Sequence, residues 1–277
     1  IITTEKDYIL TIFEKRVNTK ELPFFINLKN HLINKNFLCP KPISNKIGNF
    51  IEKINNKHCV LISFIEGEKT NNVLNEHCEQ VGQMLASLHN YTLDFKDRRK
   101  NGMNYVQWEK LFLKCKNSKS SKFLEIINII ENELLYLKNN WPEELPKGII
   151  HADVFQDNVF FKDNKFSGLI DFYFSCYDFL AYDIAITINA WCFDDKFNFD
   201  FKKFQSLIKG YEIKRKLLSK EIKFLNVLLR GASLRILLTR LHDDIFHLPN
   251  AFVEPKDPYE YVAILKYHQT NNLVKLI

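Results

Sequence analysis

The chain has 277 residues, of which 46% are hydrophobic and 26% are charged, and its formal net charge is +6. These values are typical of a globular protein and exclude a disordered chain, and no apolar run approaches the roughly 20 residues of a membrane-spanning helix. The lysines are spread along the chain and the six cysteines lack metal-like spacing, so we expect no nucleic-acid partner, no membrane insertion and a reducing, cytoplasmic environment.

The first quarter of the chain mixes strand and helix patterns. Residues 1–15 are typical of two strands around a polar turn at Glu5–Asp7, and residues 21–36 have helical periodicity. Two further strands, joined by an asparagine-rich turn, are predicted within residues 49–67. We therefore predict a small, strand-rich N-lobe over residues 1–67.

Helical periodicity dominates the rest of the chain, which we assign to a larger C-lobe over residues 68–277. The predicted helical stretches are 75–92, Tyr105–Lys116, Lys122–Asn139 and Leu180 to the end, the last broken by a loop with Pro249, Pro255 and Pro258. One strand pair interrupts them at residues 158–174, with a polar turn at Asp163–Lys165. The fold class predicted from this order is α+β.

The stretch Ile149–Phe161, IIHADVFQDNVFF, places polar side chains between two apolar runs. His151, Asp153, Asp157 and Asn158 fall within eight positions, where burial without partners would be costly. The plain alternative is a surface turn in which Asp and Asn supply turn chemistry. The strand pair that follows decides between these two interpretations.

That hairpin starts at Asn158, and Asp171 stands at the end of its second strand, so the two residues are expected side by side. Oxygen ligands at adjacent strand ends suit Mg²⁺, and the remaining loop carboxylate, Asp153, is then available to accept a proton from a hydroxyl. His151-x-Asp153 followed by Asn158 also matches the H-x-D-x-x-x-x-N catalytic loop of protein-kinase-like enzymes. The combination predicts phosphoryl transfer rather than a surface turn.

Longer stretches extend the match to a known family. The segments GIIHADVFQDNVFF, GLIDFYFSCYDFLAYDIAITINAWCF, LRGASLRILLTRL and, near the front, YILTIFEKRV resemble the aminoglycoside phosphotransferase-like kinases, and within them the bacterial homoserine kinase branch. The resemblance covers almost the whole chain. It implies a two-lobed protein-kinase-like fold, ATP and Mg²⁺ as cofactors, and phosphorylation of the hydroxyl of L-homoserine.

The resemblance also implies roles for individual residues. Asp153 would be the base, and Asn158 and Asp171 would hold Mg²⁺ against the ATP phosphates. His151 would brace the catalytic loop through hydrogen bonds, and Asp183 would be the structural carboxylate that steadies it. The backbones of three residues at the hinge between the lobes would bind adenine: Ser63, Phe64 and Ile65.

The small lobe departs from the family pattern at the phosphate-binding cation. A lysine or arginine is expected on the strand YILTIF, but Thr11 occupies that position. Lys15 and Arg16 are the substitutes considered, and Glu21 is the nearest acidic residue for a partner. All eight glycines lie at Gly48 or later, so we also expect roughly 30 further small-lobe residues ahead of Ile1, needed to cover the phosphates.

The substrate site is predicted from the chemistry of homoserine, whose carboxylate needs one cation. Arg235 lies in an apolar helical stretch, where a buried arginine is costly unless it is paired, so it is the candidate. An internal ion pair with a structural carboxylate such as Asp178 is the alternative. Tyr173 and Trp191 are candidate pocket residues that equally fit a plain core.

Two alternative functions remain open from the sequence. One is a kinase of the same fold for another small alcohol, namely choline, ethanolamine, methylthioribose or an aminoglycoside. Choline would call for an aromatic cage and a polycationic aminoglycoside for an acidic groove. The other is a non-catalytic pseudokinase, which the threonine at position 11 favours. The oligomeric state is not predicted.

Overall fold

A computed structural model describes residues 1–4, 6–13, 18–118, 124–247 and 254–276. Five residues named in the predictions lie outside the described residues: Glu5, Lys15, Arg16, Lys122 and Pro249. Within the described ranges, no helix is both long and apolar enough to cross a lipid bilayer. All six cysteines are buried thiols.

The described residues form nine strands and eight α-helices. The strands are β1 (Tyr8–Ile12), β2 (Pro42–Ile43), β3 (Ile51–Ile54), β4 (Lys57–Ser63), β5 (Glu68–Lys69), β6 (Lys147–Ile150), β7 (Val159–Lys162), β8 (Lys165–Leu169) and β9 (Cys176–Phe179). The helices are α1 (Leu22–Asn34), α2 (Asn75–Tyr91), α3 (Tyr105–Lys116), α4 (Leu124–Asn140), α5 (Leu180–Trp191), α6 (Phe201–Lys214), α7 (Ser219–Ile245) and α8 (Tyr259–Thr270).

The chain folds into two compact units built from interleaved segments. The first unit consists of Ile1–Lys100, Lys147–Leu180 and Lys202–Lys216. The second unit consists of Asn101–Pro146, Ala181–Phe201 and Leu217–Ile277. These units combine segments that are far apart in the sequence, whereas the predicted lobes are divided at the single residue 67. The lobe boundary therefore stays a prediction.

A four-stranded antiparallel sheet in the first unit has β4 as the common partner of β1, β2 and β3. The β3–β4 hairpin turns at Asn55 and Asn56, whose positive φ angles of 49° and 63° suit the asparagine-rich turn predicted there. Ahead of β1, the described residues form an isolated bridge between Ile2 and Asp7 in place of the expected strand. Next to this bridge, Ile1 and Tyr8 exchange two backbone hydrogen bonds, of 2.8 and 2.9 Å.

Two small sheets include parts of the stretch Ile149–Phe161. β5, β7 and β8 form one antiparallel sheet, and β6 pairs with β9 in the other. The β7–β8 hairpin is the strand pair predicted from the sequence, and its turn uses Asp163 and Asn164 with positive φ. α2 packs against β6 and β8, and His89 of α2 makes a buried 2.8 Å hydrogen bond with the hydroxyl of Tyr211 in α6. His89 is therefore a packing residue.

The second unit is helical and contains a buried polar network. Arg230 of α7 donates two hydrogen bonds of 2.7 Å to the carboxylate of Glu133 in α4, which also accepts one of 2.7 Å from Gln269. His268 of α8 is fully buried and donates from Nε2 to the side-chain oxygen of Asn189 in α5 at 2.8 Å. These contacts join four helices through groups that would be costly to bury alone.

Candidate active site

The catalytic loop leaves β6 through a backbone conformation that is unusual for its residue. Ala152 has a φ of 64°, in the left-handed region that alanine rarely adopts. His151 just before it is fully buried and donates from Nε2 to the carbonyl of Ile170 at 3.0 Å. Its ring also packs edge-on against Phe172, with centroids 4.8 Å apart. His151 therefore ties the loop to the segment that carries Asp171.

Asn158 connects the end of the loop to Asp153. The Nδ2 atom of buried Asn158 donates to the Asp153 carboxylate (Oδ2) at 2.9 Å and to the Asp153 backbone carbonyl at 2.9 Å. Both bonds start from Nδ2, so the Oδ1 atom of Asn158 is the atom that remains to face a cation. The half-buried Asp153 carboxylate is held in one orientation as a result.

Asp171 lies beside Asn158 because of the hairpin register. Val159 pairs with Leu169, and the N–H of Ile170 donates to the carbonyl of Asn158 at 2.9 Å. Asp171 follows with φ 59° and ψ 70°, a left-handed conformation, and its side chain is exposed. A non-glycine residue held in this region stores strain, which is common where a side chain must be aimed at a ligand.

The side-chain oxygens of Asn158 and Asp171 suit a hard cation whose remaining ligands are water or phosphate oxygens. Among the described residues no cluster of three or more His, Cys, Asp or Glu side chains forms a complete metal site. Mg²⁺ is usually held by one or two protein oxygens together with substrate phosphates and water, and does not need such a cluster. The Asn158 and Asp171 pair therefore matches the donor set expected for Mg²⁺ bound with a nucleotide.

Tyr173, two residues after Asp171, is packed in an aromatic cluster. Its ring makes edge-on contacts with Phe13 at 5.2 Å and Phe25 at 5.3 Å between centroids. Burial, followed by the Asp171 carboxylate, raises the pKa of the Tyr173 phenol above its ordinary value, while the Thr11 side chain acts in the opposite direction. Thr11 of β1 therefore faces Tyr173.

Sequence reasoning missed Lys29 in this neighbourhood. Lys29 is 4% exposed, and its Nζ atom lies 5.7 Å from the centroid of the Tyr173 ring. Burial lowers the pKa of its ammonium group from 10.5 to about 8, with Cys39 and then Asp171 acting in the opposite direction. The sequence does place Lys29 four residues after Phe25, which is the spacing of residues on one face of a helix, and α1 buries that face.

The predicted hinge residues lie at the end of β4. The N–H of Ser63 donates to the carbonyl of Lys41 at 2.9 Å, and the N–H of Phe64 donates to the carbonyl of Asp7 at 3.1 Å. Among the described residues, none accepts a hydrogen bond from the N–H of Ile65. The Ile65 N–H is therefore the hinge donor with capacity for a ligand.

Ile65 also packs on the catalytic hairpin. A Cβ atom at Gly168 of β8 would lie 2.6 Å from the Cδ1 atom of Ile65, so glycine is needed for the side chain to fit. Gly67, with a φ of 118°, lies so close to β7 that a Cβ there would be 2.7 Å from the carbonyl oxygen of Phe161. The hinge segment and the hairpin are thus packed together without intervening side chains.

Three of the predicted residues belong to the second unit. Asp183 is fully buried in the first turn of α5, and Trp191 is fully buried at the end of that helix. Arg235 of α7 is 3% exposed. The neighbouring arginines of α7 have carboxylate partners, Glu133 for Arg230 and Glu260 for Arg240. The predicted roles of Asp183 and Arg235 stay predictions.

The match to family models and curated proteins identifies the class of enzyme. The chain belongs to the phosphotransferase enzyme family, whose model matches residues 1–215. A curated homoserine kinase of Parvibaculum lavamentivorans is 44% identical over 262 residues, which are 95% of this chain and 82% of the relative. One of Xanthobacter autotrophicus is 43% identical over 267 residues, covering 96% of this chain and 83% of the relative. The resemblance inferred from the sequence is confirmed.

Solved structures confirm the fold class. An amicoumacin kinase in complex with AMP-PNP superposes with a TM-score of 0.71 at 16% identity, covering 98% of this chain and 82% of that chain. A spectinomycin phosphotransferase in complex with ADP superposes with a TM-score of 0.69 at 13% identity, covering 99% and 86%. At these identities the likeness concerns the fold, and the predicted α+β, protein-kinase-like fold is correct.

Proposed function

We propose that the chain transfers the γ-phosphoryl group of ATP to the hydroxyl of L-homoserine and releases O-phospho-L-homoserine, a step of threonine biosynthesis. The homoserine kinases of Parvibaculum and Xanthobacter support this, since each matches at least 95% of the chain. The structural observation that carries the proposal is the pair of hydrogen bonds from Asn158 to Asp153, beside Asp171. Because both substrates are intracellular metabolites and the thiols are reduced, we place the enzyme in the cytoplasm.

In this proposal Asp153 is the general base. The substrate hydroxyl oxygen attacks the γ-phosphorus, its proton passes to the Asp153 carboxylate, and the bond to the β,γ-bridging oxygen breaks to release ADP. Catalysis of this kind depends mainly on positioning and charge stabilisation. The Asn158 amide supplies the positioning, because it fixes one carboxylate oxygen and the backbone of Asp153 together.

We assign Asn158 Oδ1 and the Asp171 carboxylate as the Mg²⁺ ligands. When bound, Mg²⁺ would neutralise charge on the phosphates. His151 supports this pair, since its bond to the Ile170 carbonyl fixes the residue just before Asp171. Asp183 is proposed as a further structural support of the loop.

We propose that adenine binds at residues 63–65, between an N-lobe ending at residue 67 and the C-lobe that follows. The Ile65 N–H is the proposed donor to the adenine ring, because the N–H groups of Ser63 and Phe64 already have carbonyl partners. The Phe64 side chain is 46% exposed, as expected for a residue that covers a ligand. Arg235 is proposed for the homoserine carboxylate and Tyr173 as a pocket wall.

An ADP-release assay with a panel of acceptors tests the function. L-homoserine, choline, ethanolamine, methylthioribose and an aminoglycoside are supplied in turn, with ATP and Mg²⁺. We expect L-homoserine to give the highest kcat/KM and the variant Asp153→Asn to lower the rate of ADP release by roughly 100-fold or more. If another acceptor gives an equal or higher kcat/KM, the assignment of L-homoserine as the substrate is wrong. ATP binding without turnover of any acceptor would indicate a pseudokinase.

A further inference from the structure

The ammonium group of Lys29 is buried without an anionic partner among the described residues. Lys29 is 4% exposed on the face of α1 that also buries Leu28 and Leu32. In the part of the chain that the structure describes, no carboxylate forms an ion pair with its ammonium group. Burying an ammonium group without a paired anion is strongly unfavourable. A ligand that brings negative charge would remove this penalty.

The groups around Lys29 do not supply that negative charge. The Cys39 thiol has its pKa raised to about 12 by burial, so it is uncharged at neutral pH. The Tyr173 ring lies at 5.7 Å, where a cation–π contact is weak compared with the cost of burying the charge. Asp171 favours the charged form of Lys29, but it lies beyond ion-pair distance and is the proposed metal ligand. Lys29 is thus in electrostatic reach of the metal position.

The β1 position at which the family pattern expects a cation lies close to Lys29. The sequence pattern expects a lysine or arginine on β1 at the position of Thr11. Thr11 pairs with Val60 of β4, and its side chain faces Tyr173, the ring over which Lys29 is placed. α1 therefore brings a cation to the tyrosine that the Thr11 position faces.

We propose that Lys29 of α1 binds the phosphates of ATP, in the role of the lysine or arginine expected on β1. The inference rests on the proposed use of ATP and makes Lys29 a nucleotide-binding residue. The triphosphate carries more negative charge than one divalent cation neutralises, so a buried ammonium within electrostatic reach of Asp171 complements it. The substrate carboxylate is the competing anion, and the experiment separates the two.

Calorimetric titration of ATP, ADP and adenosine with Mg²⁺ present tests the inference on the full chain. Lys29→Met removes the charge at similar length, Lys29→Arg keeps it, and Lys35→Met is the matched control at the exposed end of α1. We expect Lys29→Met to bind ATP and ADP roughly 10- to 100-fold more weakly, with adenosine affinity unchanged. Lys29→Arg should retain most of the affinity, and Lys35→Met should match the wild type.

Thermal unfolding and steady-state kinetics complete the test. Lys29→Met should unfold at the wild-type temperature or above, because it removes a buried charge. Equal ATP affinity in Lys29→Met would overturn the inference, as would equal losses for adenosine and ATP together with a lowered Tm. A raised KM for L-homoserine with normal ATP affinity would instead assign Lys29 to the substrate carboxylate. If the wild type binds no nucleotide, the proposed function itself fails.

Discussion

The side-chain amide nitrogen of Asn158 donates to two oxygens of Asp153, one in the carboxylate and one in the backbone carbonyl, each at 2.9 Å. The same side chain then has its carbonyl oxygen left for the proposed metal. The proposed base and the proposed metal ligand are therefore not independent groups, since one side-chain amide orients Asp153 and leaves its own oxygen for the metal. Any change at Asn158 should disturb proton transfer and metal binding together.

Replacing the base should slow chemistry and spare nucleotide binding. We expect Asp153→Asn to lower kcat by roughly 100-fold or more, because the proton of the hydroxyl loses its acceptor. Steady-state kinetics with L-homoserine and calorimetry with ATP measure the two effects separately. Asp163→Asn, in the exposed turn of the same hairpin, is the control and should be normal. Near-normal turnover in Asp153→Asn would refute its role as base.

Asp171→Asn should remove the metal dependence of nucleotide binding. Asparagine tolerates the left-handed backbone at this position, so the substitution removes charge without adding strain. We expect ATP affinity measured with Mg²⁺ to fall to the value measured with EDTA. If Mg²⁺ still strengthens ATP binding in this variant, the metal ligand is another carboxylate.

Arg235 should matter for the substrate more than for stability. We expect Arg235→Leu to lower kcat/KM for L-homoserine by roughly 10- to 100-fold, as for loss of a charge-assisted hydrogen bond, with a smaller effect on ATP affinity. Arg235→Lys keeps the positive charge, so its kcat/KM for L-homoserine should fall by less. A grossly lowered Tm in Arg235→Leu, with little change in the KM for homoserine, would support the internal ion pair instead.

The buried His268 should make stability depend on pH. Burial, and then the charge of Arg230, lowers its pKa from 6.5 to about 3 in the folded protein. The unfolded chain takes up a proton below about pH 6.5 and the folded chain does not, so the free energy of unfolding falls on acidification between these values. From pH 7.5 to pH 5 this group should remove about 2 kcal/mol.

His268→Gln provides the comparison, because an amide still donates to Asn189 and does not titrate. Urea unfolding of both proteins at pH 7.5 and pH 5 measures the difference. The wild type should lose more stability than the variant on acidification. Equal losses would mean that other groups control the acid sensitivity.

The parts of the fold that local pattern determines were predictable. The Asn55–Asn56 turn, α1 to α3 and the β7–β8 hairpin follow from turn residues and periodicity. β2, β5 and β9 were missed because they have two to four residues each and exist through pairing with distant strands, as β9 does with β6. Such strands carry no periodic signal of their own.

The candidate site also has parts that the sequence predicts and parts that it does not. The loop motif and the register of the hairpin point to Asp153, Asn158 and Asp171, and the structure places these residues together. The left-handed turn at Ala152 has no sequence signal, since alanine does not favour it. Lys29 escaped because the burial of a lysine is decided by tertiary packing, and the chain offers 39 lysines and arginines to choose from.

Gly67 is the last residue of the predicted N-lobe, and in the structure it packs closely against β7. Ile65 fills the space over Gly168, and Gly67 abuts the backbone of Phe161, so the proposed adenine donor, Ile65, is packed directly on the hairpin that would hold the metal. A rotation that opened the nucleotide cleft would therefore have to pivot ahead of Ile65, at the end of β4. The distance between Ile65 and the proposed metal ligands would then stay constant during such a rotation.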